Sequence, residues 1–218
     1  MIEKIVPPQV AAAEVFGDVA GATLFPAEEA AIASAAERRR REFTAGRACA
    51  RAALSRLGLP PAPILRGARG EPKWPAGVVG SITHCAGYRA SAVARAGDLV
   101  TLGIDAEPDS PLPEGVLDLV ATAAERASLR QLGMSAPGTC WDRLLFSAKE
   151  SVYKAWFPVT GRWLGFEQAA VTIGPAAGTF TARLMVPGPE RHDPRLDELT
   201  GRWLARNGLV VTVVTVPA

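Results

Sequence analysis

Cysteine, histidine and tyrosine are scarce in this 218-residue chain, at three, two and two residues. Cys49, Cys85 and Cys140 are odd in number, far apart and without a CxxC pair. That pattern argues against a disulfide framework or a zinc site and points to reduced thiols in a cytoplasm. No apolar stretch approaches the roughly 20 residues needed to span a bilayer. The opening MIEKIVPPQV lacks the basic start and apolar run of a signal peptide. A soluble, cytoplasmic protein with no membrane partner is expected. Excess charge is also missing: the net charge is +2 with 21% charged residues, which indicates neither disorder nor a nucleic-acid surface. Any anion site must therefore be local. Apolar residues are plentiful at 48%, enough for the core of one large domain or two small ones.

From Pro26 to Gly58 the chain has no proline and is rich in alanine and arginine, with acids early and arginines late. This predicts one long helix, or two joined near Gly46. Pro60, Pro61 and Pro63 then force an extended loop into RGARGEPKWP. GVVGSITHC, RASAVARA and LVTLGID read as three strands of a meander. A linker over 108–113 precedes VLDLVATAAERASLRQLG, a helix, and WDRLLFSAKESVYKAWF is a second helix that Pro158 should end. FEQAAVTI, TFTARLMV, GRWLAR and LVVTVVTV are strands, the last two joined at Asn207-Gly208 by a hairpin. Each half thus runs from helix to about three antiparallel strands, an order that implies α+β architecture with structural duplication.

Three constellations carry chemistry. In GIDAEP the period of two puts Asp105 and Glu107 on one strand face, where paired carboxylates suit a hard cation such as magnesium; a solvated strand end is the other reading. In SAKESVYKAW, Glu150 and Lys154 share a helix face and Lys149 lies about 100° around the axis. An exposed ion pair would be worth only a few tenths of a kcal/mol, so stability gives little reason for these residues. His84, beside Thr83 in an apolar strand, is either a satisfied core histidine or a phosphate ligand. Arg38 to Arg41, Arg47 and Arg51 form a solvated helix stripe from which two could hold phosphate, and the loop at Arg66 to Arg69 has two glycines around an arginine. Neither the P-loop pattern nor GxGxxG is present.

Taken in order, RRRREF, GRACAR, RGARGEPKWP, SITHCAGYRA, GIDAEP, WDRLLFSAKESVYKAWFP and RWLGFE resemble the phosphopantetheinyl transferase superfamily. The likeness covers about residues 30 to 170 and is to the type that activates surfactin and enterobactin synthetases, its actinobacterial members especially. It implies two similar α+β subdomains in a pseudo-twofold arrangement, each with helices packed on a small antiparallel sheet. Residues 1–107 would form the half that holds the 3′-phosphate and adenine of coenzyme A, and 108–218 the half with the Lys-Glu helix and the metal. The resemblance also implies that Asp105, Glu107 and Glu150 bind Mg2+ and that Lys149 and Lys154 hold phosphate. Thr83 with His84 would hold the 3′-phosphate, and Arg39, Arg47, Arg66, Gly67, Ala68 and Arg69 would make the remaining coenzyme contacts. Some relatives have lysine where Glu71 stands, so no phosphate contact is expected of it. Expected of such a protein is transfer of 4′-phosphopantetheine from coenzyme A to a serine of an apo carrier protein of fatty-acid, polyketide or nonribosomal peptide synthesis. It would act as a monomer, with Glu150 or Lys154 taking the serine proton and adenosine 3′,5′-bisphosphate leaving.

Overall fold

A computed structural model describes residues 1–186 and 193–218. Over these the chain is α+β, as expected. One antiparallel sheet contains β1 (Ala11–Phe16), β2 (Val78–Cys85) and β3 (Tyr88–Arg95) in the order β1-β3-β2. A second contains β4 (Leu99–Pro108), β5 (Ala169–Gly174), β6 (Thr179–Leu184), β7 (Glu198–Arg206) and β8 (Leu209–Pro217) in the order β4-β8-β7-β6-β5. The α-helices are α1 (Pro26–Ala31), α2 (Glu37–Arg56), α3 (Val116–Val120), α4 (Ala123–Ser135) and α5 (Trp141–Thr160).

Several local expectations change. The arginine-rich helix breaks at 32–36 and runs unbroken through Gly46, whose missing side chain lets α2 approach Ile82. Arg40 donates to the carbonyls of Ile32 and Ala33 just past the end of α1, the first of which also accepts from Ala35 N. The α3–α4 junction is fixed by a capping box in which Thr122 Oγ1 accepts from Glu125 N and Glu125 Oε2 accepts from Thr122 N. Pro158 sits inside α5, which ends at Gly161 in the left-handed region. The meander does not form: β1 occupies the free edge of β3, and β4 crosses to pair with β8. The 107/108 division therefore falls inside β4, a strand of the second sheet. The Asn207-Gly208 hairpin forms as read, with both residues at positive φ.

Three packed layers of side chains position the site. On one face of the first sheet, Ala50, Ala53 and Leu54 of α2 pack against Ala13 and Val93. On its other face Tyr88, Ala90, Ala92 and Ala94 meet Leu102, Ile104 and Ala106 of β4 with Val211 and Val213 of β8. On the far side of the second sheet, Leu144, Leu145, Ala148, Val152 and Trp156 of α5 cover Phe180, Ala182, Val210 and Val214. Each fully buried Leu, Ile, Val or Phe among them contributes about 1.5–3 kcal/mol by leaving water, and each alanine methyl about 0.8 kcal/mol.

Two close approaches matter most. A Cβ on Gly103 of β4 would lie 2.0 Å from the carbonyl oxygen of Ser151 and 2.6 Å from the Ala155 nitrogen, so β4 and α5 touch backbone to backbone. Where the two sheets meet, β2 and β4 form no backbone ladder. Instead Ser81 Oγ accepts from Ile104 N at 3.1 Å, and Thr83 Oγ1 accepts from Ala106 N at 3.1 Å.

Candidate functional site

The end of β4 and the middle of α5 bring together Asp105, Glu107, Glu150 and Lys154. Asp105 is 4% exposed; its Oδ1 accepts from Lys154 Nζ at 2.7 Å and from Thr83 Oγ1 at 3.2 Å. Its Oδ2 is buried with no hydrogen-bond partner. A buried carboxylate oxygen without a donor costs free energy unless something cationic meets it. Burial and then the neighbouring Asp105 charge push the Glu107 carboxyl up to about 7, against the opposing pull of Arg143 and Lys154. Burial and then Asp105 likewise raise Glu150, with Lys154 opposing. The three carboxylates therefore share one electrostatic neighbourhood in which their ionised forms repel.

Chemically the donors fit a hard cation: all are carboxylate oxygens, one is an orphan, and a dication would relieve the mutual repulsion. Among the described residues no three such side chains already stand as a ready ligand set. Lys154 occupies one oxygen of Asp105, and Arg143 Nη1 lies 3.2 Å from Glu107 Oε2.

Lys154 also faces a cationic pocket of about 210 Å³ lined by Arg39, Phe43, Arg47, Arg66 and His84. Side chains from α2, from the 59–77 loop, from β2 and from α5 thus converge. Arg47 is buried; its Nε donates to Ile64 O at 2.7 Å, its guanidinium lies 4.0 Å from the Phe43 ring centroid, and burial lowers its pKa to about 10. Arg39 Nη1 is 2.9 Å from His84 Nε2. An arginine can only donate, so that ring nitrogen accepts and the imidazole is neutral. Burial, ahead of the opposing Glu42 and the reinforcing Arg39 and Lys154, lowers the His84 pKa from 6.5. A second cavity of about 160 Å³, lined by Arg69, Gly70, Glu71, Glu150, Tyr153 and Lys154, adjoins the first through Gly70, Pro72, Ile82 and Lys154. The result is one cleft, cationic at one end and of mixed charge at the other, where Glu71 and Glu150 stand with Arg69 and Lys154; of the three clustered carboxylates Glu150 reaches its wall.

Not every expected residue joins it. Lys149 is 2% exposed, and its ammonium donates to Val120 O, Glu125 Oε2 and Phe166 O at 2.8, 2.9 and 2.8 Å. An ammonium has three protons, so none is left for phosphate. Thr83 borders the cationic pocket, but its hydroxyl proton goes to Asp105 and its lone pair to Ala106 N. In the 66–72 loop Gly67 N donates to Glu71 O, Gly70 N to Gly67 O and Arg69 N to Glu71 Oε2. Gly67, Arg69 and Gly70 thus use their amides to shape the loop, and Arg66 and Arg69 reach the cleft beside Gly70, Glu71 and Pro72. Ala68 lines neither of its two pockets.

Other residues emerge only in three dimensions. Arg143 ties Glu107 to the carbonyls of Ser110 and Pro111. Glu42 stands beside Arg38, Arg39 and His84; its spacing of four and three from the arginines was the available signal. Glu28, fully buried, accepts from Phe25 N, Ile64 N and Arg51, and so fixes the loop that receives Arg47.

Comparison with known proteins shows the family. Residues 27–94 match the model of the 4′-phosphopantetheinyl transferase N-terminal domain, and residues 101–214 match that of the 4′-phosphopantetheinyl transferase superfamily. The chain is 58% identical over 195 residues to 4′-phosphopantetheinyl transferase Svp of Streptomyces mobaraensis, covering 89% of this chain and 79% of that one. It is 46% identical over 222 residues to 4′-phosphopantetheinyl transferase PptT of Mycobacterium tuberculosis, covering 98% and 97%. Enterobactin synthase component D of Salmonella typhimurium is more distant, at 31% over 192 residues, covering 84% and 75%. Among the described residues no helix is long and apolar enough to cross a membrane. The chain is an enzyme of the 4′-phosphopantetheinyl transferase superfamily.

Proposed function

We propose that this enzyme transfers 4′-phosphopantetheine from coenzyme A to a serine of an apo carrier protein, with Mg2+ at Asp105, Glu107 and Glu150. The observation that carries the reading is the shared position of Lys154, which lines both the cationic pocket and the cavity reached by Glu150, and which holds Asp105 at 2.7 Å. Arg39, Arg47, Arg66 and His84 suit the 3′-phosphate, and Lys154 suits the diphosphate between the two ends. Magnesium, when bound by the three carboxylates, would supply positive charge against that diphosphate.

The serine oxygen forms a new P–O bond at the phosphorus that carries pantetheine. The bond from that phosphorus to the bridging oxygen breaks, and its electron pair leaves on adenosine 3′,5′-bisphosphate. The serine proton goes to Glu150, whose proton affinity is raised by burial and by Asp105. Lys154 is less suited as acceptor because its ammonium is committed to Asp105 at 2.7 Å. Its charge instead stabilises the oxygens of the 5′-phosphate that departs on adenosine 3′,5′-bisphosphate.

The test is to incubate the purified protein with coenzyme A, Mg2+ and several apo carrier proteins, and to weigh the carriers. A phosphopantetheine mass gain is expected with the wild type, with a rate about 10²–10⁴-fold lower for Glu150→Gln. Absence of any gain with the wild type would overturn the reading, and an unimpaired Glu150→Gln would remove Glu150 as the base.

A further inference from the structure

We infer that Thr83 is a positioning residue for Asp105, and not a ligand of the coenzyme phosphate. The inference rests on the cation site proposed above. Thr83 is 1% exposed and Asp105 4%, so neither side chain is oriented by bulk water. A threonine hydroxyl has one proton, and here it is directed to Asp105 Oδ1 at 3.2 Å, while the same oxygen accepts from Ala106 N at 3.1 Å. The Ala106 amide adjoins Asp105 along β4, so the hydroxyl is held from the backbone of the strand whose side chain it orients. Lys154 Nζ takes Oδ1 as well, at 2.7 Å. Both donors thus load one oxygen, and Oδ2 is left buried and without a partner. This division makes Asp105 a one-oxygen ligand of fixed direction. Without the hydroxyl, the carboxylate could rotate to present both oxygens to Lys154, and the cation site would lose its fixed member.

Ser81 supplies an internal control. Its hydroxyl accepts from Ile104 N in the equivalent stitch two residues earlier, but it touches no carboxylate. Loss of the Ser81 hydroxyl therefore weakens the junction of the sheets without freeing Asp105.

The experiment measures Mn2+ affinity by electron paramagnetic resonance in the presence of coenzyme A, together with the KM for coenzyme A. Thr83→Val should weaken Mn2+ binding on the order of tenfold to a hundredfold, as loss of a group that orients a metal ligand does. Thr83→Ser should restore it, and Ser81→Ala should lower the melting temperature with Mn2+ affinity unchanged. The KM ratio of coenzyme A to its 3′-dephospho form should be the same in Thr83→Val as in the wild type. Wild-type Mn2+ affinity in Thr83→Val, or a loss of that 3′-phosphate discrimination, would overturn the inference. If Thr83→Val does not fold, Thr83→Ala, which cannot overpack the site, is read by the same two measurements. A wild type that binds no Mn2+ with coenzyme A would instead sink the cation site itself.

Discussion

Lys149 and Lys154 stand on two sides of α5, and their surroundings differ in every respect that matters. Lys149 is sealed inside, its three protons shared among the end of α3, the first turn of α4 and the Phe166 carbonyl. Its partner Glu125 also accepts from Val171 N, so this one pair ties α4, α5 and the edge strand β5 together. Lys154 is 27% exposed, holds Asp105 and opens onto both cavities of the cleft. One lysine is saturated by the protein, whereas the other retains donors for a ligand. Charge on a helix therefore acquires a role only from the number of protein acceptors that reach it.

The contrast can be broken experimentally. Lys154→Ala should cost the most in function: transfer to a carrier protein falls about 10²–10³-fold, the scale for losing a group aimed at developing charge. Its stability loss should be the smaller of the two lysine variants, measured by urea unfolding. Lys149→Met should do the reverse, costing about 3–5 kcal/mol of stability because the buried Glu125 keeps its two backbone amides but loses its cation. The KM for coenzyme A should barely move in whatever fraction stays folded. A Lys149→Met protein of wild-type stability with a raised KM would return Lys149 to the ligand site.

A smaller effect distinguishes the cationic end. The His84 pKa is depressed below 6.5 in the folded protein, so between 6.5 and the depressed value the unfolded chain binds more protons than the folded one. His84 therefore contributes nothing above that window and a growing penalty as pH falls through it. Between pH 7.5 and 5.5 the urea midpoint should fall further for the wild type than for His84→Ala. Equal falls would show that His84 is not held neutral by its surroundings.

Much of this was legible in the chain because it is local. Asn207-Gly208 specifies its own turn, and the spacing of Glu150 and Lys154 fixes a common side of α5 whatever packs on it. The unread parts depend on distant partners. β1 is AAAEVF, with too few branched or aromatic residues to signal a strand, yet it takes the edge of β3 that the third strand of a meander would need. Displaced from that edge, β4 carries Asp105 and Glu107 into the other sheet. The ligand roles of Thr83 and Lys149 are what the family resemblance implies. In the structure Asp105 and Ala106 engage the hydroxyl of the first, and Val120, Glu125 and Phe166 take the ammonium of the second. None of those contacts is visible in sequence spacing.

The glycine of GIDAEP acts as a spacer of zero thickness. With oxygen and nitrogen of α5 at 2.0 and 2.6 Å from where its first carbon would stand, even alanine would force the helix outward. Glu150 and Lys154 ride on that helix, and Asp105 sits two residues along the strand. The reach between acid and ammonium is thus gauged by an atom the chain omits.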